Sequence, residues 1–230
     1  MLRIVSTLLI CVALASAFGF SARAEDYRDS ENGFSLSVPD GWRVAKAPMQ
    51  GVALVVASPR VAETRGNCNV ISQAVAETRE ASQDELNAQF DKVVNEAFWR
   101  QIIGGAHMTN VVIDKTGSDM RSGRKSFFVV THFDAAVEGG QTMRFAGKQA
   151  LHMIPGRIYF VTCLANEAGY AQDEKDFETV LTSFEPSNAV VIAGLPTRNV
   201  TLGFQPRALS AGALSQLSAG GARGLASGRR

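Results

Sequence analysis

Histidine is scarce in this chain, at three residues in 230, and no phosphate loop, dinucleotide-binding glycine fingerprint or nucleophile elbow occurs. His107, His132 and His152 lack the short ligand spacing of a zinc site, so a histidine metal centre and the common nucleotide-dependent enzymes drop from consideration. Past residue 24 no apolar run reaches the roughly 20 residues that a bilayer span needs. Acid is missing from residues 186–230, and cysteine from all positions except 11, 68 and 163.

What is present begins with Arg3, an apolar run from Ile4 to Phe20 and then Ala22-Arg23-Ala24, the arrangement of a secretory signal cleaved between Ala24 and Glu25. Leu9 and Ile10 ahead of Cys11 are not the small residues that precede a lipidated cysteine. The mature chain is therefore expected to be periplasmic or secreted, with no stable membrane span after signal removal. In an oxidising compartment Cys68 and Cys163 are expected to pair as a disulfide. The competing reading, a catalytic thiol, needs a neighbouring base, and neither cysteine segment carries a histidine.

The formal charge of +1 conceals a division. Two of the 23 basic residues lie in the leader and five in the tail, leaving 16 beside all 22 acids between Glu25 and Glu185. So acidic a body is a poor surface for nucleic acid. The tail, residues 186–230, is dominated by Ala, Gly and Ser and carries Arg198, Arg207, Arg223, Arg229 and Arg230. It buries too little apolar surface to offset the entropy of ordering and is expected to be disordered. Two roles are open for it: solvation of the C-terminus, or an electrostatic tether to anionic lipid, cell-wall polymer or an acidic partner.

Within the body, Asn32-Gly33 supplies a turn before the alternating strand Phe34-Ser-Leu-Ser-Val38, and Pro39-Asp-Gly-Trp42 returns an aromatic to the core. Strands are expected at 52–56 and 69–77. Ser82 and Glu85 form a capping box, and Leu86, Phe90, Val93, Val94, Ala97 and Phe98 predict one continuous helix ending at Gly104-Gly105. Trp99 falls beside that stripe and is read as an exposed interaction residue. Strands at 109–115, 125–134, 142–153 and 157–164 follow in hairpin order, with turns at Gly139-Gly140 and Pro155-Gly156. The first turn would set His132 near Phe145 and His152 near Lys125. The unbroken apolar run Phe127-Phe-Val-Val130 predicts a strand covered on both faces. A helix over 173–183 closes the body, with Phe177, Val180, Leu181 and Phe184 inward.

Gly33-Phe-Ser-Leu-Ser-Val-Pro-Asp-Gly-Trp42, the capped helix, and Asp176-Phe-Glu-Thr-Val-Leu-Thr-Ser-Phe184 resemble the PsbP-like superfamily across residues 25–185. That group includes the extrinsic PsbP subunit of photosystem II, a small Ran-binding nuclear transport factor and exported bacterial proteins. The resemblance implies an α+β fold, an antiparallel sheet with helices on both faces. It also implies a non-enzymatic assembly factor, accessory subunit or binding module, with no catalytic motif or ligand set to carry over.

Ser122-Gly-Arg-Lys125 fits the Ser-x-x-Lys pattern, but it approaches a strand rather than lying on the helix turn which that chemistry needs. Asn199-Val-Thr201 fits a glycosylation acceptor, meaningful only in a eukaryotic secretory route. Asp173, Glu174, Asp176 and Glu178 crowd the first turns of the last helix, where acids offset the helix dipole. The expectation is a non-catalytic envelope protein, without cofactor, that acts through contact with an envelope protein. Two alternatives stand beside it: a hydrolase assembled from scattered residues such as His132 and Ser122, and a tether working through the basic tail.

Overall fold

The structure, a computed structural model, describes residues 25–45, 51–104, 108–137 and 140–187. The expected signal with Ala24, His107 and the five tail arginines lie outside the described residues.

Alternation sets the first element pair. β1 (Glu25–Asp29) turns through Asn32-Gly33, where Gly33 takes φ 68°, into β2 (Phe34–Val38), which buries Phe34, Leu36 and Val38 on one side. After the Pro39–Trp42 turn come β3 (Arg43–Ala45), β4 (Val52–Ala57), the single helical turn α1 (Val61–Thr64) and β5 (Asn67–Ala74). Helices α2 (Gln83–Val93) and α3 (Glu96–Ile103) precede four long strands: β6 (Met108–Arg121), β7 (Arg124–Ala136), β8 (Thr142–Ile154) and β9 (Arg157–Asn166). Helix α4 (Tyr170–Ser183) and the two-residue β10 (Glu185–Pro186) complete the described chain.

Seven strands form one antiparallel sheet in the order β3-β4-β5-β9-β8-β7-β6, while β1, β2 and β10 form a second, three-stranded sheet. Helices cover both faces of the large sheet, as an α+β sandwich requires. On one face Phe177, Val180, Leu181 and Phe184 of α4 join Phe34, Leu36 and Trp42 over Tyr159, Val161 and Cys163. On the other, Leu86, Trp99 and Ile103 of α2 and α3 close over Phe127, Val129, Phe133, Phe145 and Phe160. Burying a side chain of this size is worth about 1.5–3 kcal/mol, so the two layers dominate folding.

Four expectations are corrected. The predicted single helix is two: Val94 is extended, and the Asn95 side chain accepts a hydrogen bond from Phe98 N (3.0 Å) to start α3. The strand expected over 69–77 begins at Asn67 and gives way to a 3-10 turn over Ala76–Thr78. The β7–β8 register differs by one residue, with His132 opposite Ala146 and His152 opposite Ser126, because the ladder closes at Ala136 and Thr142. Finally, Phe127-Phe-Val-Val130 is not covered on both faces: Phe127 and Val129 are buried, Phe128 and Val130 only half-buried. Two-sided burial belongs instead to β9, central in the sheet, which is buried from Arg157 to Ala165.

Candidate functional site

A rigid scaffold comes first. Cys68 on β5 and Cys163 on β9 are directly paired residues and form the expected disulfide beneath α4, with Cα atoms 4.0 Å apart. At the start of α4, fully buried Asp173 accepts hydrogen bonds from Ser58 Oγ (2.9 Å), Thr64 Oγ1 (2.7 Å) and Arg60 Nε (3.0 Å). That hydrogen bond, with the charges of Asp173 and Asp176, holds the Arg60 pKa above its ordinary value despite desolvation. A Cβ on Gly66 would lie 2.1 Å from Asp173 Oδ2, so only glycine lets this loop close on the carboxylate. Asp176 accepts from Trp42 Nε1 (3.0 Å), and Glu178 accepts from Lys148 Nζ (2.7 Å) on β8. Three of the four acids expected to serve only the helix dipole are thus specific ties.

Among the described residues, this scaffold leaves part of one sheet face open. Helix α4 packs on β2, β8 and β9, so the outer strands β6 and β7 extend past it on that side. In-register neighbours share a face. Gly117, Phe128 and Ala150 form one row across β6, β7 and β8; Lys115, Val130 and Lys148 form the next; Val112, His132 and Ala146 form the third. Ala150 belongs to the α4-side core, which fixes the side on which the rows lie. Phe128 rests on Gly117, where a Cβ would come within 2.5 Å of the ring. Its ring centroid is 5.7 Å from Lys115 Nζ and 5.2 Å from Lys148 Nζ. The result is a half-buried apolar strip, Phe128 and Val130 with exposed Val112 at its end, rimmed by two lysines and by Glu178 of α4.

One end of the strip is a charged cluster. His132 Nδ1 lies 2.9 Å from Glu167 Oε1 and Nε2 lies 3.3 Å from Asp114 Oδ2, while Arg144 bridges Asp134 (3.1 Å) and Glu167 (3.7 Å). A hydrogen bond from Asn110, and then Arg144, hold the Asp134 carboxyl below its usual pKa. Because the two carboxylates sit on opposite ring nitrogens, they cannot converge on one ion with the imidazole. Among the described residues no three His, Cys, Asp or Glu side chains group to hold a metal. Ser122 lies in the β6–β7 turn, ten residues along the strand from His132, a span of about 33 Å. The lysine of its motif, Lys125, pairs with Asp91 of α2 instead. Serine and histidine are therefore not brought together.

The other end is the hairpin turn, which grips the close of the domain. Arg121 donates to the Thr182 carbonyl at the end of α4, and Arg124 Nη1 to the Pro186 carbonyl (2.9 Å).

Trp99, expected as an exposed contact, is corrected: it is buried, at 1% exposure, because α3 starts afresh at Asn95 with its own phase, while Val93, the last residue of α2, is 46% exposed. Phe128, Lys115 and Lys148 were missed as site residues. Their signal was available in the apolar Phe128 next to Phe127, yet which of the two lies under a helix depends on where α4 ends laterally.

A family model described as PsbP matches residues 22–186. Solved structures with similar backbones include cyanobacterial PsbP (CyanoP) of Synechocystis sp. PCC 6803, at 17% identity, covering 75% of this chain and 98% of that one, with TM-score 0.46. The Ran-binding protein Mog1p of Saccharomyces cerevisiae follows at 12% identity, 72% and 96% coverage and TM-score 0.44. LpqN of Mycobacterium tuberculosis, involved in cell envelope biogenesis, is similar at 9% identity, 72% and 91% coverage and TM-score 0.40. No curated protein matches the chain.

Proposed function

Because the chain belongs to the PsbP family, we propose that it is an exported, non-catalytic binding or accessory protein of the cell envelope, acting through protein contacts at the open face of β6 and β7. The observation that carries this reading is the half-buried Phe128 strip between Lys115 and Lys148, on a sheet that α4 only partly covers. The disulfide accords with an oxidising compartment, and none of the described helices is long and apolar enough to cross a membrane. An aromatic flanked by cations suits a partner that presents an apolar side chain beside a carboxylate. The edge of β6, unpaired among the described residues, is a weaker contact: it is interrupted between Thr109 and Val112 and again between Ile113 and Lys115, and it carries Asp114, Lys115 and Asp119, features that discourage strand addition.

The test is crosslinked capture from the native envelope with the full mature chain, a chain ending at Glu185, and the full chain carrying Phe128→Asp. A specific protein captured by the first two and lost with the third is the expected result. Capture that needs the tail would make the body a carrier for a tether. No capture by any form, together with a hydrolytic activity that His132→Ala removes, would replace the binding reading by the enzyme one.

A further inference from the structure

Arg157, the first residue of β9, is buried at 7% exposure, in the middle of the sheet and three strands from the β6 edge. By strand alternation it shares the α4-side face with Tyr159, Val161 and Cys163. Its Nη1 donates to Ser72 Oγ on β5 (2.6 Å), while Nε and Nη2 find no partner among the described residues and keep a trace of solvent access.

The groups around it are already committed. Burial pushes the Tyr159 hydroxyl pKa up to about 12, with the Arg157 charge pulling it down, Asp29 pushing it up and Arg124 pulling it down, so all three charges reach this spot. The hydroxyl itself lies 2.8 Å from both the Asn32 and the Gly33 carbonyls of the β1–β2 turn. Asp29 accepts from Asn32 N (2.8 Å) on one carboxylate oxygen and from Asn32 Nδ2 (2.9 Å) on the other. Arg124 has its own acid, Glu185, at 3.8 Å. Among the described residues, then, no carboxylate pairs with Arg157.

The remaining sequence has almost no acid to offer. Residues 1–24, 46–50, 105–107 and 188–230 contain no Asp or Glu, and residues 138–139 contain only Glu138. The chain reaches Glu138 beyond Ala136, whose partner Thr142 is twelve residues along β8 from Ile154, the partner of Arg157, a span of about 40 Å. A guanidinium is almost never buried without a counter-charge, because its desolvation is costly. Its planar fork presents parallel N–H donors to two oxygens of a single oxyanion.

We propose that Arg157 anchors a binding site for a small oxyanion beside the β1–β2 turn, where Nε and Nη2 receive a carboxylate or phosphate group and Ser72 holds the guanidinium in place. The site lies apart from the β6–β7 face and does not depend on that face being a contact surface.

The experiment uses the full mature chain labelled with nitrogen-15, with the Arg157 Nε–Hε signal assigned through bonds. Sodium phosphate and sodium acetate are titrated in separate arms against sodium chloride at equal ionic strength. A saturable shift of the Arg157 signal is expected in at least one oxyanion arm, with half-saturation at about 1–10 mM, and the arm that responds identifies the group. Arg157→Lys keeps the charge and loses the fork, so it is expected to raise that half-saturation concentration about tenfold, read at the Ser72 and Tyr159 amides. Shifts that chloride reproduces would mean screening alone and would overturn the proposal. A saturable response as strong at exposed Arg43, or one unchanged in Arg157→Lys, would place the anion elsewhere and overturn it too. Should the lysine variant not fold, the three arms on the unsubstituted chain decide by themselves.

Discussion

Two buried titratable groups show how single residues constrain this fold. Asp173 is wholly enclosed, and its charge is balanced by Arg60, which is itself about one-third exposed. Arg60→Ala leaves a carboxylate with hydroxyl partners alone, and it is expected to lower the unfolding free energy by about 3 kcal/mol in urea titration. A loss under about 1 kcal/mol would mean that water reaches Asp173. His152 is buried against Phe184, its ring centroids 4.7 Å apart, and its Nε2 finds no hydrogen-bond partner among the described residues. Burial, and then the nearby Arg121 charge, push its pKa down to about 4. Ser126 and Tyr159 flank it in register on β7 and β9, and no carboxylate is among these neighbours to hold a proton there. The unfolded chain binds this proton below its ordinary value of 6.5, so stability is intact above that pH and declines as pH falls toward 4. The decline amounts to about 3 kcal/mol, and His152→Leu should flatten it in unfolding curves taken across that range.

At the scale of elements, the α2–α3 pair and the β6–β7 hairpin support one another. The Asn87 side chain on α2 donates to the Gly123 carbonyl (2.9 Å) and accepts from Lys125 N (3.1 Å), fixing the hairpin turn to the helix. That turn in turn caps the end of α4 through Arg121 and holds β10 through Arg124. Helix α3 depends on its own start at Asn95, whose side-chain oxygen satisfies the Phe98 amide. Asn95→Ala is expected to cost about 1 kcal/mol, the usual value for a lost N-cap. Hydrogen exchange should quicken in α3 more than in α2, whose Ser82–Glu85 capping box is untouched. Equal acceleration in both would show that the two behave as one helix despite the break. Gly117→Ala works on the open face: the added Cβ meets only the tip of the Phe128 ring, so stability should change by under about 1 kcal/mol while the ring signals shift in NMR spectra.

Across the whole molecule, the Cys68–Cys163 disulfide closes a loop of 95 residues that contains β6, β7, β8 and both helices of one layer. Chain-entropy reasoning assigns such a loop about 4.7 kcal/mol of stabilisation. Replacing both cysteines by alanine should therefore bring the urea midpoint down markedly, with the native sheet retained below it. Loss of native structure without any denaturant would show that the disulfide carries nearly all the net stability. The link joins β5 to β9 in the middle of the sheet, away from β6 and β7 at its edge. The open face is thus at the far side of the sheet from the β4–β5 half, held by the hairpin's own ties to α2 and α4.

Much of this protein was legible from residue order alone. The antiparallel strands, the Asn32-Gly33 and Pro155-Gly156 turns, the Ser82 cap and the inward face of α4 follow from local periodicity and turn chemistry, which act over a few residues. The pairing of Cys68 with Cys163 followed from arithmetic, since only two cysteines lie beyond the expected leader. What local pattern could not supply was relative placement. Trp99 turned inward because one Asn side chain started a new helix with its own phase, and Phe128 stayed half-open because α4 is narrower than seven strands. The carboxylate of Asp173 met Ser58, Arg60 and Thr64 across more than 100 residues of sequence. Those facts depend on which distant elements come to lie against each other, and that is decided only when the two core layers close.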